Sequence, residues 1–155
     1  MKVFIVTIAC LLTVFIGSYA TASSVSSWYL TLNKPSFNPP SWLFGPVWTL
    51  LYISMGIAAY YFWNAAEEQN SPWLKWGLSI FFAQLVLNAL WSVLFFGTQT
   101  LGLAFIEIII MWVAILGTII IFAKVLPWTG YILIPYLCWV SFASLLNGSI
   151  WWLNS

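Results

Sequence analysis

The sequence contains neither histidine nor arginine, and it has only four lysines and three glutamates, for a net charge of +1. Without histidine the usual general base and metal ligand are missing, and no glycine-rich phosphate loop is recognisable. Cys10 and Cys138 fall in apolar runs, where a thiol packs as a small apolar side chain. We therefore expect no metal site, no ordinary hydrolase or phosphotransferase chemistry, no required cofactor and no nucleic-acid partner.

Apolar residues make up 63% of the 155 residues and aromatic residues 20%, whereas charged residues make up 5%. A soluble domain does not have this composition. About 20 apolar residues in helical conformation cross the hydrocarbon core of a bilayer. The chain offers five such runs, near residues 3–22, 44–64, 74–96, 101–124 and 128–152. We predict an all-α fold: one integral membrane domain over residues 1–155, built as a bundle of five transmembrane helices.

The first apolar run has a second interpretation. Lys2, the apolar stretch 3–16 and the triplet Ala20, Thr21 and Ala22 also resemble a secretory signal with its cleavage site. Cleavage would leave four helices and would remove a packing partner of the segment that follows. We favour an uncleaved first span.

Four of the seven prolines lie in the segment 34–48, between the first and second runs. Proline fixes its own φ angle and disfavours helix at the residue before it, so this segment is predicted to be stiff and extended. It also carries Phe37, Trp42, Phe44 and Trp48. Such side chains gain free energy by packing, and a structured lid over the bundle is one interpretation. The other is an ordinary connection with aromatic residues at the membrane interface.

Aromatic and amide side chains share faces on three of the predicted helices. These faces carry, in turn, Trp48 and Tyr52; Gln84, Asn88, Trp91 and Phe95; and Trp139, Phe142, Ala143 and Leu146, with Asn147 beside them. Flat rings with a few amides suit a large, flat, mostly apolar ligand. The same spacing also describes rings that only fill the core of the bundle.

Charged residues and prolines elsewhere suggest local features. Glu107 lies inside a span, so it must face the interior, lie near the interface or be protonated. The polar stretch 67–72 is predicted to be a solvent-exposed loop, and Pro135 to kink the fifth helix. Small residues four apart, Ser79 with Ala83 and Ala114 with Thr118, are candidates for the contact face of a homodimer.

Several motifs together resemble the TspO/MBR family, the tryptophan-rich sensory proteins and mitochondrial translocator proteins. The resemblance covers nearly the whole chain. The chain is most similar to the bacterial members, which implies that it is located in a bacterial cell membrane. The matching motifs are Trp28-Tyr29; Lys34-Pro35-x-Phe37-x-Pro39-Pro40-x-Trp42-x-Phe44-x-Pro46-Val47-Trp48-Thr49; Leu51-Tyr52; Asn88-x-x-Trp91-Ser92; and Pro135-Tyr136-x-x-Trp139-x-x-Phe142-Ala143-x-x-Leu146-Asn147.

The resemblance implies a dimeric five-helix bundle whose first loop covers a pocket for porphyrins such as protoporphyrin IX, for benzodiazepine-site ligands and, in some members, for sterols. It implies a lining of Trp48, Asn88, Trp91, Trp139, Ala143 and Leu146, with Leu103, Ile106 and Ile110 facing in from the fourth helix and Glu107 at the family's acidic position. Tyr52 and Phe142 join this lining from the shared faces. The lid residues are Pro35, Phe37, Pro39, Pro40 and Trp42.

The function implied first is that of a membrane receptor or sensor that binds a porphyrin or another flat apolar molecule. The alternative is light- and oxygen-dependent breakdown of porphyrin, in which Trp48 and Trp139 take part as catalytic residues and porphyrin is the substrate. A transporter of tetrapyrroles or sterols ranks third, because the chain lacks an inverted repeat. No lysine or arginine follows Tyr136, which disfavours the sterol route, and Thr98 or Gln99 replaces the family's arginine in the third interhelical loop.

Overall fold

A computed structural model describes residues 1–22 and 24–155. Within those ranges the regular secondary structure is all helical, without a strand. Among the residues so described, five stretches are long and apolar enough to cross a membrane, which confirms the predicted five-span membrane bundle. The α-helices are α1 (Lys2–Ala22), α2 (Trp28–Thr31), α3 (Phe44–Glu68), α4 (Trp73–Ser92), α5 (Leu101–Val125), α6 (Pro127–Tyr131) and α7 (Ile134–Leu153). A 3-10 turn at Ser41–Leu43 leads into α3, and a π-helical turn at Val93–Gly97 ends the third span.

The fifth span is broken rather than kinked. It consists of the short helix α6 followed by α7, with a proline in the first turn of each helix. In that position the missing N–H of Pro127 or Pro135 removes no intrahelical hydrogen bond. The predicted kink within one continuous helix is therefore wrong, because the chain breaks just before Pro135.

A solid aromatic core fills the bundle at the end away from the proline-rich loop. Phe62 of α3 stacks on Phe122 of α5 with ring centroids 4.0 Å apart, and Phe81 of α4 lies 5.9 Å from Phe122. All three side chains are fully buried. Since lipid is as apolar as these rings, their close packing, rather than exclusion from water, holds the helices together.

The segment between the first and second spans is folded, as predicted. Tyr29 of α2 is 3% exposed, packs against Phe95 and Phe96, and donates a hydrogen bond from its hydroxyl to Oδ1 of Asn38 at 2.8 Å. Asn33 and Asn154 exchange two further hydrogen bonds, of 3.0 and 2.9 Å. These contacts attach the loop to the π-helical turn after α4 and to the C-terminus of α7.

At the opposite end, the first residues of α1 are attached to the last turns of α3. Lys2 forms an ion pair with Glu67 at 2.5 Å and donates to Oδ1 of Asn64 at 2.8 Å. The indole N–H of Trp63 donates to the same carboxylate at 2.8 Å. The stretch 67–72 is therefore not wholly a loop as predicted, since α3 continues to Glu68.

Only one of the two predicted small-residue pairs lies on the protomer surface. Thr118 is 1% exposed, and its hydroxyl donates to the carbonyl of Ala114 at 2.9 Å, so this pair packs inside the protomer. Ser79 and Ala83 lie on the exposed face of α4. The burial of Thr118 disfavours the Ala114–Thr118 pair as a dimer contact, although Ala114 itself is half-buried.

Candidate functional site

A cavity of about 840 Å³ lies under the proline-rich loop, between α1, α3, α4 and α7. The loop side is formed by Val25, Tyr29 and Ser41, and α3 begins there with Phe44. Six of the residues predicted to bind a ligand line this cavity: Trp48, Tyr52, Asn88, Trp91, Ala143 and Leu146. The shared helix faces therefore meet around open space instead of filling the core.

A chain of hydrogen bonds crosses the bundle beside this cavity. The hydroxyl of Tyr52 donates to Oδ1 of Asn88 at 2.5 Å, and Nδ2 of Asn88 donates to the hydroxyl of Tyr136 at 3.0 Å. Tyr136 in turn donates to Oε1 of Gln84 at 2.8 Å. The chain links α3, α4 and α7 and fixes the Asn88 amide, which keeps one N–H without a partner in this chain of bonds.

A second pair of hydrogen bonds fixes the indole of Trp91. Its Nε1 donates to Oδ1 of Asn147 at 3.0 Å, and Nδ2 of Asn147 donates to the carbonyl of Leu101 at 3.0 Å. These bonds join α4 and α7 to the first turn of α5. The sequence suggested Asn147 as one of the few amides beside the aromatic faces, and in the structure it holds a wall of the cavity in place.

Tyr136→Phe tests the hydrogen-bond chain. The change removes the hydroxyl on which both Asn88 and Gln84 depend, so a buried donor and a buried acceptor lose their partner. We expect the free energy of unfolding to fall by about 1–2 kcal/mol, measured as thermal unfolding in detergent. Tyr131→Phe is the matched control, since Tyr131 is 62% exposed. Equal losses in both variants would contradict a structural role for the chain.

Trp139 and Phe142 lie elsewhere than predicted. They border a separate groove of about 460 Å³ between α3 and α7, together with Leu50 and Cys138. The rings of Trp139 and Phe44 pack edge to face, with their centroids 5.9 Å apart. Phe44, unlike Trp139, lines the 840 Å³ cavity under the loop, which we call the main cavity. Trp48 and Trp139 therefore do not share a cavity, because Phe44 stands between Trp139 and the open space.

The three predicted residues of the fourth span point outward. Leu103, Ile106 and Ile110 are 58%, 57% and 54% exposed. Ala104 and Ile108 occupy the buried face of α5 instead, so Leu103, Ile106 and Ile110 lie on the face that points away from the bundle. The prediction that these three residues face inward is therefore wrong. That they contact a ligand stays a prediction.

The predicted lid residues do not border the main cavity. Phe37 is half exposed and meets Phe142 edge-on at 6.3 Å, and Trp42 is 72% exposed. Pro35, Pro39 and Pro40 set the path of the loop, but the lining comes from Val25, Tyr29 and Ser41. The loop residues that cover the cavity are therefore Val25 and Tyr29, which precede the proline-rich segment, and Ser41, which lies within it.

Glu107 faces the interior of the bundle, one of the three predicted alternatives. It is 5% exposed, and neither carboxyl oxygen has a hydrogen-bond partner among the described residues. Burial of an ionised carboxylate without a partner is costly, which favours the neutral acid. Glu107 is not part of the cavity wall.

The contribution of α1 was not predicted. Val6, Cys10, Gly17 and Thr21 line the cavity, and they recur at helical spacing on one face of this helix. The small and weakly polar side chains on that face were the available signal, but an apolar first span shows the same pattern when it only packs. Within residues 1–22 and 24–155, histidine, cysteine and carboxylate side chains form no cluster of three that would hold a metal ion.

Comparison with known proteins gives a consistent picture. The model of the TspO/MBR family matches residues 5–153. The chain is 44% identical over 145 residues to the tryptophan-rich protein TspO of Chlorobaculum tepidum, covering 94% of this chain and 90% of the relative. It is 34% identical to the human translocator protein (94% and 85% coverage) and 35% identical to the tryptophan-rich sensory protein of Cereibacter sphaeroides (84% and 81%).

Proposed function

The chain belongs to the TspO/MBR family, and from this premise we propose that it is a membrane receptor or sensor that binds porphyrin-like tetrapyrroles, such as protoporphyrin IX, in the main cavity. Benzodiazepine-site ligands would compete for the same space. The cavity volume of about 840 Å³ falls within the range of roughly 300–1,000 Å³ that small-molecule sites occupy.

The observation that carries this proposal is the pairing of flat aromatic walls with fixed amides. The rings of Trp48 and Trp91 offer faces on which a conjugated macrocycle stacks. Asn88 and Asn147 line the same cavity, held by hydrogen bonds that define which way each amide points. Such a wall binds the face of a planar ligand by dispersion and orients its polar edge by hydrogen bonding.

Titration in the dark tests this function. Protoporphyrin IX added to the purified protein is expected to quench tryptophan fluorescence along a saturable curve, because Trp48 and Trp91 would contact the pigment. A benzodiazepine-site ligand is expected to reverse the quenching by competition. Quenching that rises linearly with pigment, as it does for free tryptophan in the same detergent, would contradict the proposal.

A second candidate is light- and oxygen-dependent breakdown of the bound porphyrin. It is favoured by the position of Trp48, whose oxidisable indole borders the cavity and lies 5.7 Å from the ring of Tyr52. An excited pigment there would have an electron donor within contact. Binding is common to both candidates, and only illumination separates them.

We also propose a homodimer formed through α4. Its exposed face carries Ser79 and Ala83, small residues that let two helices approach closely, and the neighbouring Val86 is 67% exposed.

A further inference from the structure

The main cavity has two sections of different character. The loop-side section is bounded by α3, α4, α7 and the C-terminal part of α1, and it contains Trp48, Asn88 and Trp91. Farther from the loop, neither α4 nor α7 contributes to the lining, and the cavity continues as a groove between α1 and α3. We call this continuation the α1–α3 groove; its walls are Val3, Val6, Thr7, Cys10, Leu11 and Val14 of α1 and Ile53, Gly56, Ile57, Tyr60 and Tyr61 of α3.

The α1–α3 groove is long, narrow and apolar. From Val3 to Val14, α1 rises about 16 Å, roughly half the thickness of the hydrocarbon core and thus about the depth of one leaflet. Its rim is open to the outside, since Leu11 and Ile53 are 60% and 54% exposed. A planar macrocycle in the loop-side section would leave this groove empty, whereas a linear hydrocarbon chain matches its shape.

Gly56 marks open space in the middle of the groove. A Cβ atom added at this position would meet no atom within 4 Å, although the residue lies in the middle of a membrane-spanning helix. Most other glycines of the bundle are closely packed: a Cβ at Gly148, for example, would lie 2.9 Å from the ring of Phe105. The gap beside Gly56 is therefore available to a ligand.

The cavity as a whole is uncharged. Its lining includes hydroxyl, amide and indole groups but neither a lysine nor a glutamate among the described residues. A ligand carboxylate placed inside would lose its hydration without gaining an ionic partner, which is costly in a membrane interior. Esterification of the carboxyl group removes that cost.

We propose that the ligand of this cavity is a neutral tetrapyrrole ester with a long isoprenoid or alkyl chain, whose ring lies in the loop-side section and whose chain lies in the α1–α3 groove. The inference rests on the proposed tetrapyrrole binding and specifies the ligand class. A bare dicarboxylate porphyrin fills only the loop-side section and carries charge that the lining does not match.

Three pigments with the same kind of ring separate the effect of the carboxylate charge on binding from the effect of the ester chain. They are pheophorbide a, its methyl ester and its phytyl ester, pheophytin a. Binding is measured in the dark by tryptophan quenching, at constant detergent concentration. We expect the methyl ester to bind more tightly than the free acid, and the phytyl ester about tenfold more tightly than the methyl ester, because the chain buries apolar surface in the groove.

Variants of the protein distinguish binding of the ester chain in the α1–α3 groove from partition of the pigment into detergent micelles. Gly56→Leu fills the groove, so the ratio of methyl-ester to phytyl-ester dissociation constants is expected to fall from about ten to about one. Leu11→Trp should act likewise from the opposite wall. Leu12→Trp is the matched control, because Leu12 is similarly exposed, at 56%, but lies outside the lining. Micelle partition is the same for every variant and cancels in the comparison.

Each outcome decides a different point. If the ratio is the same in wild type, Gly56→Leu and Leu11→Trp, the chain does not occupy the groove and the inference fails, even though tetrapyrrole binding stands. Free acid that binds as tightly as the methyl ester would overturn the neutral-ligand part. If none of the three pigments binds saturably to the wild type, the proposed tetrapyrrole function itself fails.

Discussion

Trp48→Ala is expected to weaken protoporphyrin IX binding by about 30-fold. A tryptophan side chain buries 150–250 Å² when covered, and about half of that area would face a ligand in this cavity. At roughly 25 cal/mol per Å² this corresponds to about 2 kcal/mol, or some 30-fold in dissociation constant. The measurement is a dark titration followed by pigment absorbance, which does not depend on the number of tryptophans.

Trp76→Ala supplies the control for this experiment. Trp76 is 70% exposed on α4 and lies outside the cavity lining, so its loss removes an indole of the same size without changing the site. Its dissociation constant should equal that of the wild type. Comparable weakening by both substitutions would show that the pigment associates with the aromatic surface in general and not with the main cavity.

The overall fold follows from the sequence because the membrane leaves few alternatives. Each apolar run must form a helix to satisfy its own backbone hydrogen bonds, so five runs predict five spanning helices. The apolar run predicted from residue 44 also starts where α3 begins, at Phe44, and Pro46 lies in the first turn of that helix, where a proline is tolerated. The break before Pro135 was less accessible, because a proline is compatible with either a kink or a new helix.

Which face of a helix points inward was predicted only in part. On α4, the two amides Gln84 and Asn88 marked the buried face, since polar groups avoid lipid, and both are buried. On α5, by contrast, nearly every residue is apolar, so the buried stripe and the lipid-facing stripe look alike. Leu103 and Ile106 accordingly fell on the wrong side, although Glu107 beside them marked the true interior.

The hydrogen-bond partners at the site depend on how the helices approach each other. Asn88 and Tyr136 are 48 positions apart, and only the packing of α4 against α7 brings them to 3.0 Å. The same holds for Trp139: its helical face was predicted, but a small rotation of α7 decides whether its ring reaches the main cavity or lies behind Phe44. No local pattern in the sequence encodes that rotation.

The second large effect is expected under light. With protoporphyrin IX bound in aerobic solution, Trp48→Phe is expected to slow bleaching of the pigment about tenfold, equivalent to ~1.4 kcal/mol in the activation barrier. The reason is distance: Trp48 borders the main cavity, so its indole would lie against the excited ring and donate an electron to it. The reduced ring then adds O2, and an electron passes from this adduct back to the tryptophan radical, so that both oxygen atoms stay on the pigment; removal of oxygen should therefore stop bleaching in the wild type as well. Trp76→Phe is the control and should bleach at the wild-type rate.

Trp139→Phe distinguishes direct from relayed donation. Its indole is separated from the cavity by the ring of Phe44, at 5.9 Å between centroids, so it is not in contact with a ligand there. Its loss should therefore slow bleaching less than the loss of Trp48. A Trp48→Phe/Trp139→Phe double variant that keeps the dark spectral shift but bleaches more slowly than Trp48→Phe alone would show that both indoles donate. Equal bleaching in the wild type, both single variants and empty detergent would reject the enzymatic candidate and leave a binding protein.

A larger effect of Trp139→Phe than of Trp48→Phe would mean that the pigment lies in the groove between α3 and α7. The main cavity would then no longer be the proposed porphyrin site.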